Sequence, residues 1–320
     1  MIPSLISPLI RILVVGDIML DQYYWTSVER ISPEAPVPVC RMQRVTATLG
    51  GAANVANNIR AFGAKAGLVG VVGQDPHADT LHQLMTTAGM DATGVQAVAS
   101  MPTICKTRVM GNGQQLCRID DEPAKVDAQD SAWETRLIAD LVARIQTVDA
   151  VVVSDYNKGM ITPTRMRAIV DAAAKQNRPV IVDPKGSNPA LYEGASFLTP
   201  NQREFYQLAG LDSGADADTV AQAAQTMIQT HRFQGLLVTR SHEGMSIYTP
   251  TAIDHVPTKA RDVYDVSGAG DTVVAALAVG LASKWPIMDT VHFANVAAGV
   301  VVSKRGTATA TLAEIQAYAV

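Results

Sequence analysis

The amino-acid sequence predicts an α/β fold: a doubly wound, mostly parallel sheet with helices on both faces. Short apolar runs rich in β-branched residues, such as those at 12–15 and 151–154, alternate with longer alanine-rich stretches of helical periodicity. Strands that are apolar throughout are typical of parallel sheets, because helices cover both faces. The chain has no repeat and no Gly- or Ser-rich linker, so we expect a single domain over residues 1–320.

The elements follow one another in a regular order. Each strand is predicted from a continuous apolar run, and the six runs span residues 11–17, 66–73, 149–155, 178–183, 195–201 and 235–240. Each helix is predicted from helical periodicity, over residues 52–62, 78–88, 131–147, 164–176, 218–231, 271–283 and 289–304. Residues 1–10 contain two prolines and no basic residue ahead of their apolar part, unlike a secretion signal, so we expect a loose leader.

Two segments, about 22–48 and 102–121, interrupt this order. Neither has the apolar content of a central strand, and the second contains Gly111-Asn112-Gly113 between two short runs, which predicts a hairpin whose glycines supply positive φ. Together they are expected to form a small β lid over the carboxyl ends of the strands, where open α/β sheets bind ligands. An ordinary surface hairpin is the alternative.

Charge and composition exclude several classes of protein. The 26 Lys and Arg against 30 Asp and Glu give a net charge of -4, so no basic field is available to bind nucleic acid. The longest apolar stretch, residues 273–282, is much shorter than the roughly 20 residues that span a bilayer. Three cysteines without a C-x-x-C pair indicate a reducing, cytoplasmic setting and argue against a disulfide framework or zinc site.

The most informative motif is Gly268-Ala269-Gly270-Asp271. Its first three residues are expected to direct their N–H groups out of a helix N-terminus, where an anion such as phosphate is favoured. Asp271 beside them would accept a proton from an attacking hydroxyl. The alternative is that Asp271 only stabilises the helix start. A dinucleotide fingerprint is excluded, because Val273 occupies the place of its third glycine, and no P-loop is present.

A second glycine pair, Gly50-Gly51, opens another predicted helix, and Asn54 within it offers a donor and an acceptor to sugar hydroxyls. Asp17 and Asp21 lie at and just after the end of the first strand, where carboxylates receive hydrogen bonds from vicinal hydroxyls; one is a better candidate than both. The alternative for the glycine pair is a sharp turn from loop to helix.

The segments GGAANVANNIRAFGAKAGLVGVVG and DVSGAGDTVVAALA resemble the two signature regions of the ribokinase-like (PfkB) carbohydrate kinases. Further segments, above all ISPEAPVPV at 31–39, are similar to D-glycero-β-D-manno-heptose-7-phosphate kinases. The resemblance runs from about residue 11 to 312. Such kinases are often fused to a C-terminal adenylyltransferase; this chain ends where the kinase would, so we expect another polypeptide to supply the next step.

The resemblance implies roles for individual residues. Asp271 is implied as the catalytic base, and Gly268, Ala269 and Gly270 as the anion hole. The nucleotide and metal groups are implied to lie elsewhere along the chain: Asn201 and Glu204 near Mg²⁺ through water, Thr239, Arg240, Ser241 and Gly244 near ATP, and Asp265 and Ser267 at a possible K⁺ site. Val266 replaces the usual threonine of the motif, which weakens only the K⁺ assignment.

A phosphorylated sugar also needs a cationic receptor. Lys185 and then Lys158, which follow strand ends, are the first candidates, and Arg108 on the hairpin is the third. We therefore expect ATP-dependent phosphorylation of heptose 7-phosphate at O1, by a homodimer paired through its lids. The alternatives are a family kinase for another sugar or sugar phosphate, and a non-catalytic sugar or nucleotide sensor on the same scaffold.

Overall fold

The computed structural model describes residues 5–99, 101–122, 131–260 and 262–319. The strands in this part of the chain are β1 (Arg11–Gly16), β2 (Ile18–Ile31), β3 (Pro38–Gly51), β4 (Lys65–Val72), β5 (Asp91–Ala97), β6 (Ile104–Gly111), β7 (Gln114–Asp121), β8 (Ala150–Ser154), β9 (Val180–Asp183), β10 (Phe197–Leu198), β11 (Gly235–Thr239), β12 (Met245–Tyr248) and β13 (Ile253–Val256). The α-helices are α1 (Ala52–Ala61), α2 (Pro76–Thr87), α3 (Ser131–Ile145), α4 (Pro163–Lys175), α5 (Gln202–Ala209), α6 (Ala217–His231), α7 (Ala269–Ala282), α8 (Ile287–Val302) and α9 (Leu312–Tyr318).

Nine strands form one large sheet in the order β13-β12-β11-β10-β9-β8-β1-β4-β5. In this spatial order, β11, β10, β9, β8, β1, β4 and β5 run parallel to one another. At the other side of the sheet, β12 is antiparallel to β11 and β13 is antiparallel to β12. The predicted mostly parallel sheet is therefore confirmed. The strands β5, β12 and β13 were not predicted, because β5 and β13 carry several polar residues and β12 is only four residues long.

Alternate residues of β1 show that helices cover both faces of the sheet. Ile12 and Val14 belong to the apolar cluster that contains residues of α1, α7 and α8, whereas Leu13 and Val15 belong to the cluster that contains residues of α3 and α4. All four side chains are at most 2% exposed. Since successive side chains of a strand point to opposite faces, β1 lies between the two helix layers and packs against both.

Four strands form a second, smaller sheet in the order β3-β2-β6-β7, called the small sheet below. It contains the two segments that interrupt the β/α order, and β6 and β7 form the predicted hairpin. The turn differs in one detail: the residues with positive φ are Asn112 (51°) and Gly113 (86°), and not Gly111. Asparagine tolerates the left-handed region, so the turn does not need the first glycine.

The prediction of a loose leader was wrong for the described residues 5–10. Ile6 and Ile10 are only 2% and 9% exposed and join the apolar core, because burying two such side chains outweighs the entropy of a free segment. None of the described helices combines the length and the apolar character that a bilayer crossing requires.

Candidate active site

The start of α7 and the carboxyl ends of β8, β9 and β11 surround a cavity of about 150 Å³. This edge of a parallel sheet is where open α/β folds bind ligands. Seven of the residues singled out from the sequence line it: Lys185, Asn201, Glu204, Thr239, Gly268, Gly270 and Asp271. Residues from four distant parts of the chain thus meet in one cleft.

Helix α7 begins without a side-chain cap. Gly268 occupies the N-cap with φ 80°, and a Cβ added to Gly270 would meet no atom within 4 Å. Within the described residues the N–H groups of Gly268 and Gly270 donate to no backbone carbonyl, but the N–H of Ala269 donates to the Val266 carbonyl at 3.2 Å. The prediction that Ala269 contributes an open amide was therefore wrong, since a turn before the helix uses it.

Asp271 is buried beside these amides, with 4% of its surface exposed. Asn54 Nδ2 donates to its Oδ2 at 2.7 Å, and the Tyr156 hydroxyl donates to its Oδ1 at 3.0 Å. Burial raises the pKa of Asp271 to about 6, while the bonds from Asn54 and Tyr156 oppose the rise. The carboxyl group is therefore mostly ionised at neutral pH and still basic enough to accept a proton.

Asn54 has a different task from the one predicted. Its side chain is 1% exposed and its amide nitrogen is bonded to Asp271, so it orients that carboxylate and does not present itself to a sugar. A second bond between α1 and α7, from Thr272 Oγ1 to Asn58 Oδ1 at 3.0 Å, lies next to it. The two helices are thus joined by buried polar contacts that no local sequence pattern reveals.

Asp17 also differs from its prediction as a sugar ligand. Its two oxygens accept the backbone N–H groups of Tyr156, Lys158 and Met160, at 2.8 to 3.1 Å. Burial raises its pKa and these hydrogen bonds oppose the rise. With three donors already bound, the carboxylate holds the loop after β8 and has little capacity left for hydroxyl groups.

Asp21 lies on β2, and its carboxylate joins the small sheet to the core. Arg108 Nη1 donates to Oδ1, and Thr307 Oγ1 donates to Oδ2 at 3.2 Å. The adjacent Gly50 and Gly51 are buried: a Cβ on Gly51 would lie 2.4 Å from the Asp17 carbonyl oxygen, and one on Gly50 would lie 2.8 Å from Asp21 Oδ2. The glycines permit this close packing, and their contact with sugar stays a prediction.

The N-x-x-E element forms the start of α5. Asn201 Oδ1 accepts the Glu204 N–H at 2.9 Å, and Glu204 Oε2 accepts the Asn201 N–H at 3.0 Å, which is a capping box. Glu204 is buried, and its Oε1 is bonded by Lys185 Nζ. Asp183 lines the same cavity, where burial and the nearby charges of Asp271 and Glu204 raise its pKa well above its usual value.

The remaining predicted nucleotide residues form the tight turn between β11 and β12. Arg240 is paired with Glu243, Ser241 has φ 53° and Gly244 has φ 95°. They lie outside the cavity lining, and their contact with ATP stays a prediction.

The predicted K⁺ residues are on the loop before α7. Asp265 Oδ1 accepts the Ser267 N–H at 2.9 Å, and its Oδ2 accepts the Gly306 N–H at 3.0 Å. Burial raises the pKa of Asp265, but these hydrogen bonds bring it below its usual value. The carboxylate ties this loop to the segment after α8, and its K⁺ role stays a prediction.

The cations chosen as phosphate receptors all have carboxylate partners. Lys185 is paired with Glu204, Arg108 with Asp21, and Lys158 with Glu122 at 2.6 Å. Lys106 on β6 was not predicted. Its Nζ lies 5.2 Å from the centre of the Tyr156 ring, it forms no ion pair within 4 Å among the described residues, and burial lowers its pKa.

Sequence reasoning missed Tyr156, Asp183 and Lys106. Tyr156 and Asp183 follow or end apolar strands, so their position at the ligand edge of the sheet was available as a signal. The hydrogen bond from Tyr156 to Asp271 and the electrostatic coupling of Asp183 to Asp271 could not be predicted, because the residues lie about a hundred positions apart in the chain.

The chain is similar to known proteins over nearly its whole length. Residues 9–314 match the model of the pfkB family carbohydrate kinases. The curated relatives called bifunctional protein HldE include one from Trichlorobacter lovleyi, 43% identical over 96% of this chain, and one from Shewanella amazonensis, 47% identical over 95%. The chain covers 62% of the length of each.

Among solved structures, a phosphofructokinase-2 from Escherichia coli in complex with substrates and products aligns with a TM-score of 0.79 at 21% identity, covering 97% of this chain and 98% of its own. An Arabidopsis thaliana ribokinase complexed with ribose and ATP aligns at 0.76 and 20% identity, covering 96% and 97%. These likenesses show the ribokinase-like fold. The match to the family model over residues 9–314 shows that the chain belongs to the pfkB family of carbohydrate kinases.

Proposed function

We propose that this kinase transfers the γ-phosphoryl group of ATP to O1 of D-glycero-β-D-manno-heptose 7-phosphate, giving the 1,7-bisphosphate for ADP-heptose and lipopolysaccharide core synthesis. The observation that carries the chemistry is the Asp271 carboxylate beside the open amides of Gly268 and Gly270. The substrate rests on the ISPEAPVPV segment and on the bifunctional HldE relatives, of which this chain spans 62%.

In the proposed reaction, Asp271 accepts the proton of the O1 hydroxyl as O1 bonds to the γ-phosphorus. The bond from that phosphorus to the β–γ bridging oxygen breaks, and ADP leaves with the electron pair. The amides of Gly268 and Gly270 donate to the equatorial oxygens, where negative charge is concentrated. Asp271 then releases its proton to solvent.

Mg²⁺ is the proposed metal, and its chemistry is to neutralise the phosphate oxygens of ATP. The donors fit this ion, because Glu204 and Asn201 offer oxygen atoms beside a cavity that also holds the Asp183 carboxylate. Both Glu204 oxygens already accept hydrogen bonds, which favours contact through water. Asp265 and Ser267 are the residues proposed for K⁺.

The sugar phosphate is proposed to bind a cation on the small sheet. Lys185, Lys158 and Arg108 are already paired with Glu204, Glu122 and Asp21, whereas Lys106 has no ion-pair partner in the described part of the chain. We therefore place Lys106 ahead of Arg108, Lys185 and Lys158 as the receptor for the 7-phosphate.

A cytoplasmic homodimer is proposed to be the working form. The small-sheet face opposite Asp21 exposes Val45 and Ile119 to 50% and 55%, and a second copy of the same sheet would cover them. Sedimentation at micromolar concentration tests this, with Ile119→Asp expected to yield monomers and a monomeric wild type as the contrary result.

The substrate is tested by a panel of acceptors under coupled ADP detection. Heptose 7-phosphate, fructose 6-phosphate, ribose and a nucleoside are compared, and the product is identified by ³¹P NMR. We expect the highest kcat/KM with heptose 7-phosphate. Preference for another acceptor would replace the substrate, and binding of sugar without turnover of any acceptor would favour a sensor.

A further inference from the structure

Tyr156 lies in the loop of residues 155–160 that follows β8. Its hydroxyl and the amide of Asn54 bind different oxygens of Asp271, at 3.0 and 2.7 Å. The carboxylate therefore cannot rotate without losing one of two donors, which come from separate elements. Burial and the negative charge of Asp271 raise the pKa of Tyr156 well above its usual value, so the phenol keeps its proton.

The loop that carries this tyrosine is held from both sides. Asp17 accepts three of its N–H groups at 2.8 to 3.1 Å. The fully buried Arg165 donates from Nη1 to the carbonyls of Gly159 and Met160, at 3.0 and 3.1 Å. Hydrogen bonds to charged groups are stronger than those between neutral groups, so the contacts of Asp17 and of Arg165 Nη1 hold the loop in place.

We propose that Tyr156 is a positioning residue for the phosphoryl transfer, holding Asp271 in the orientation that receives the acceptor proton. The proposal rests on the proposed role of Asp271 as the base. Asn54 alone would leave Oδ1 without a donor among the described residues. The tyrosine also faces Lys106, whose ammonium group lies over its ring, so one side chain contacts both the carboxylate and this cation.

Other charges act on Asp271 from several elements. Asp21 on β2 disfavours its ionised form and Lys106 on β6 favours it, while the charge of Asp271 in turn raises the pKa of Asp183 at the end of β9. Removing the Tyr156 hydroxyl leaves these groups in place. The resulting change in the Asp271 pKa is then attributable to one lost hydrogen bond.

The test is Tyr156→Phe in the full chain. We expect kcat to fall about 10- to 100-fold, as for loss of a hydrogen bond to a charged group, with KM for ATP within about twofold. The Asp271 carboxyl must be deprotonated to act as the base, so the wild-type rate should fall as the pH drops through about 6. Loss of the Tyr156 donor should raise the pKa of Asp271, so the rate of the variant should begin to fall at a higher pH. Tyr248→Phe is the control: this phenol is also buried, but its strand partner Leu236 lies near the amino end of β11, away from the cavity, and kcat should not change.

A double-mutant cycle separates positioning from a purely structural role. In the Asp271→Asn background, Tyr156→Phe should produce little further loss, because the group that it positions is no longer a base. An unchanged kcat and pH profile in the single variant, or the same fold-loss in both backgrounds, would overturn the proposal.

A second readout is independent of the acceptor. If the wild type phosphorylates no sugar, the proposed function fails, and carboxyl ¹³C NMR titration of Asp271 still decides the positioning role. A higher pKa for Asp271 in Tyr156→Phe than in the wild type supports that role. Equal values refute it.

Discussion

Helices α1 and α7 both begin after a glycine with positive φ, 55° at Gly51 and 80° at Gly268, and neither has a side-chain cap. Their surroundings differ. The first N–H is bonded in both helices, that of Ala52 to the Asp17 carbonyl at 3.0 Å and that of Ala269 to the Val266 carbonyl at 3.2 Å. However, a Cβ added to Gly51 would lie 2.4 Å from the Asp17 carbonyl oxygen, whereas one added to Gly270 would meet no described atom within 4 Å. Side chains cap α2, α4, α5, α6 and α9. Similar glycine motifs therefore serve two purposes: α1 is closed by packing, and α7 stays available to an anion.

The largest effect is expected from Asp271→Asn, which tests whether the start of α7 takes part in catalysis, because that role requires the Asp271 carboxylate to act as the base. We expect kcat to fall about 10²- to 10⁴-fold while the Kd for ATP stays within a few fold. Steady-state kinetics and calorimetric titration with ATP measure the two quantities. Weaker ATP binding with unchanged turnover would contradict the role of Asp271.

Paired alanine substitutions sharpen the comparison directly. Gly51→Ala should lower the free energy of unfolding by about 1–3 kcal/mol, because its Cβ meets the Asp17 carbonyl oxygen and its φ is positive. Gly270→Ala should fold normally and lower kcat about 10- to 100-fold, because its Cβ enters the space left for the phosphoryl group. Denaturant unfolding and kinetics of both variants are the measurements. Equal effects on stability would remove the distinction between the helices.

A smaller effect is expected from the lysines, where Lys106, without an ion-pair partner among the described residues, is compared with the paired Lys185. Lys106→Met should raise KM for heptose 7-phosphate about tenfold and leave KM for ATP almost unchanged, as expected for one charge-assisted contact. Lys185→Met is the matched change at an ammonium already paired with Glu204, and it should affect KM for the sugar phosphate less. If Lys185→Met has the larger effect on the sugar phosphate, the 7-phosphate receptor belongs on the Lys185 side of the cavity.

Much of the fold could be predicted because it depends on local patterns. The six central strands consist mainly of apolar residues, and the Gly268–Asp271 motif marks a helix start whatever lies around it. The partners of its side chains depend on tertiary contacts. Asn54 meets Asp271 across 217 positions of sequence, and the three donors to Asp17 come from a loop about 140 positions away. Hence the Gly268–Asp271 motif was recognised as a helix start, while the residues that contact Asp271 were misassigned or missed.

The short connection between β1 and β2 has a mechanical consequence. Asp17, the one residue between these strands, is fixed through its backbone, with its N–H on the Ser154 carbonyl and its carbonyl accepting from Ala52. Any rotation of the small sheet against the core would therefore pivot at this point. Since β2 is 14 residues long, its far end lies about 40 Å from the pivot, whereas Asp21 is about 13 Å from it, so a tilt moves the far end roughly three times as far as Asp21. Such a rotation of the small sheet would admit or enclose a bulky sugar, and the carboxylates of Asp17 and Asp21 near the pivot would move least.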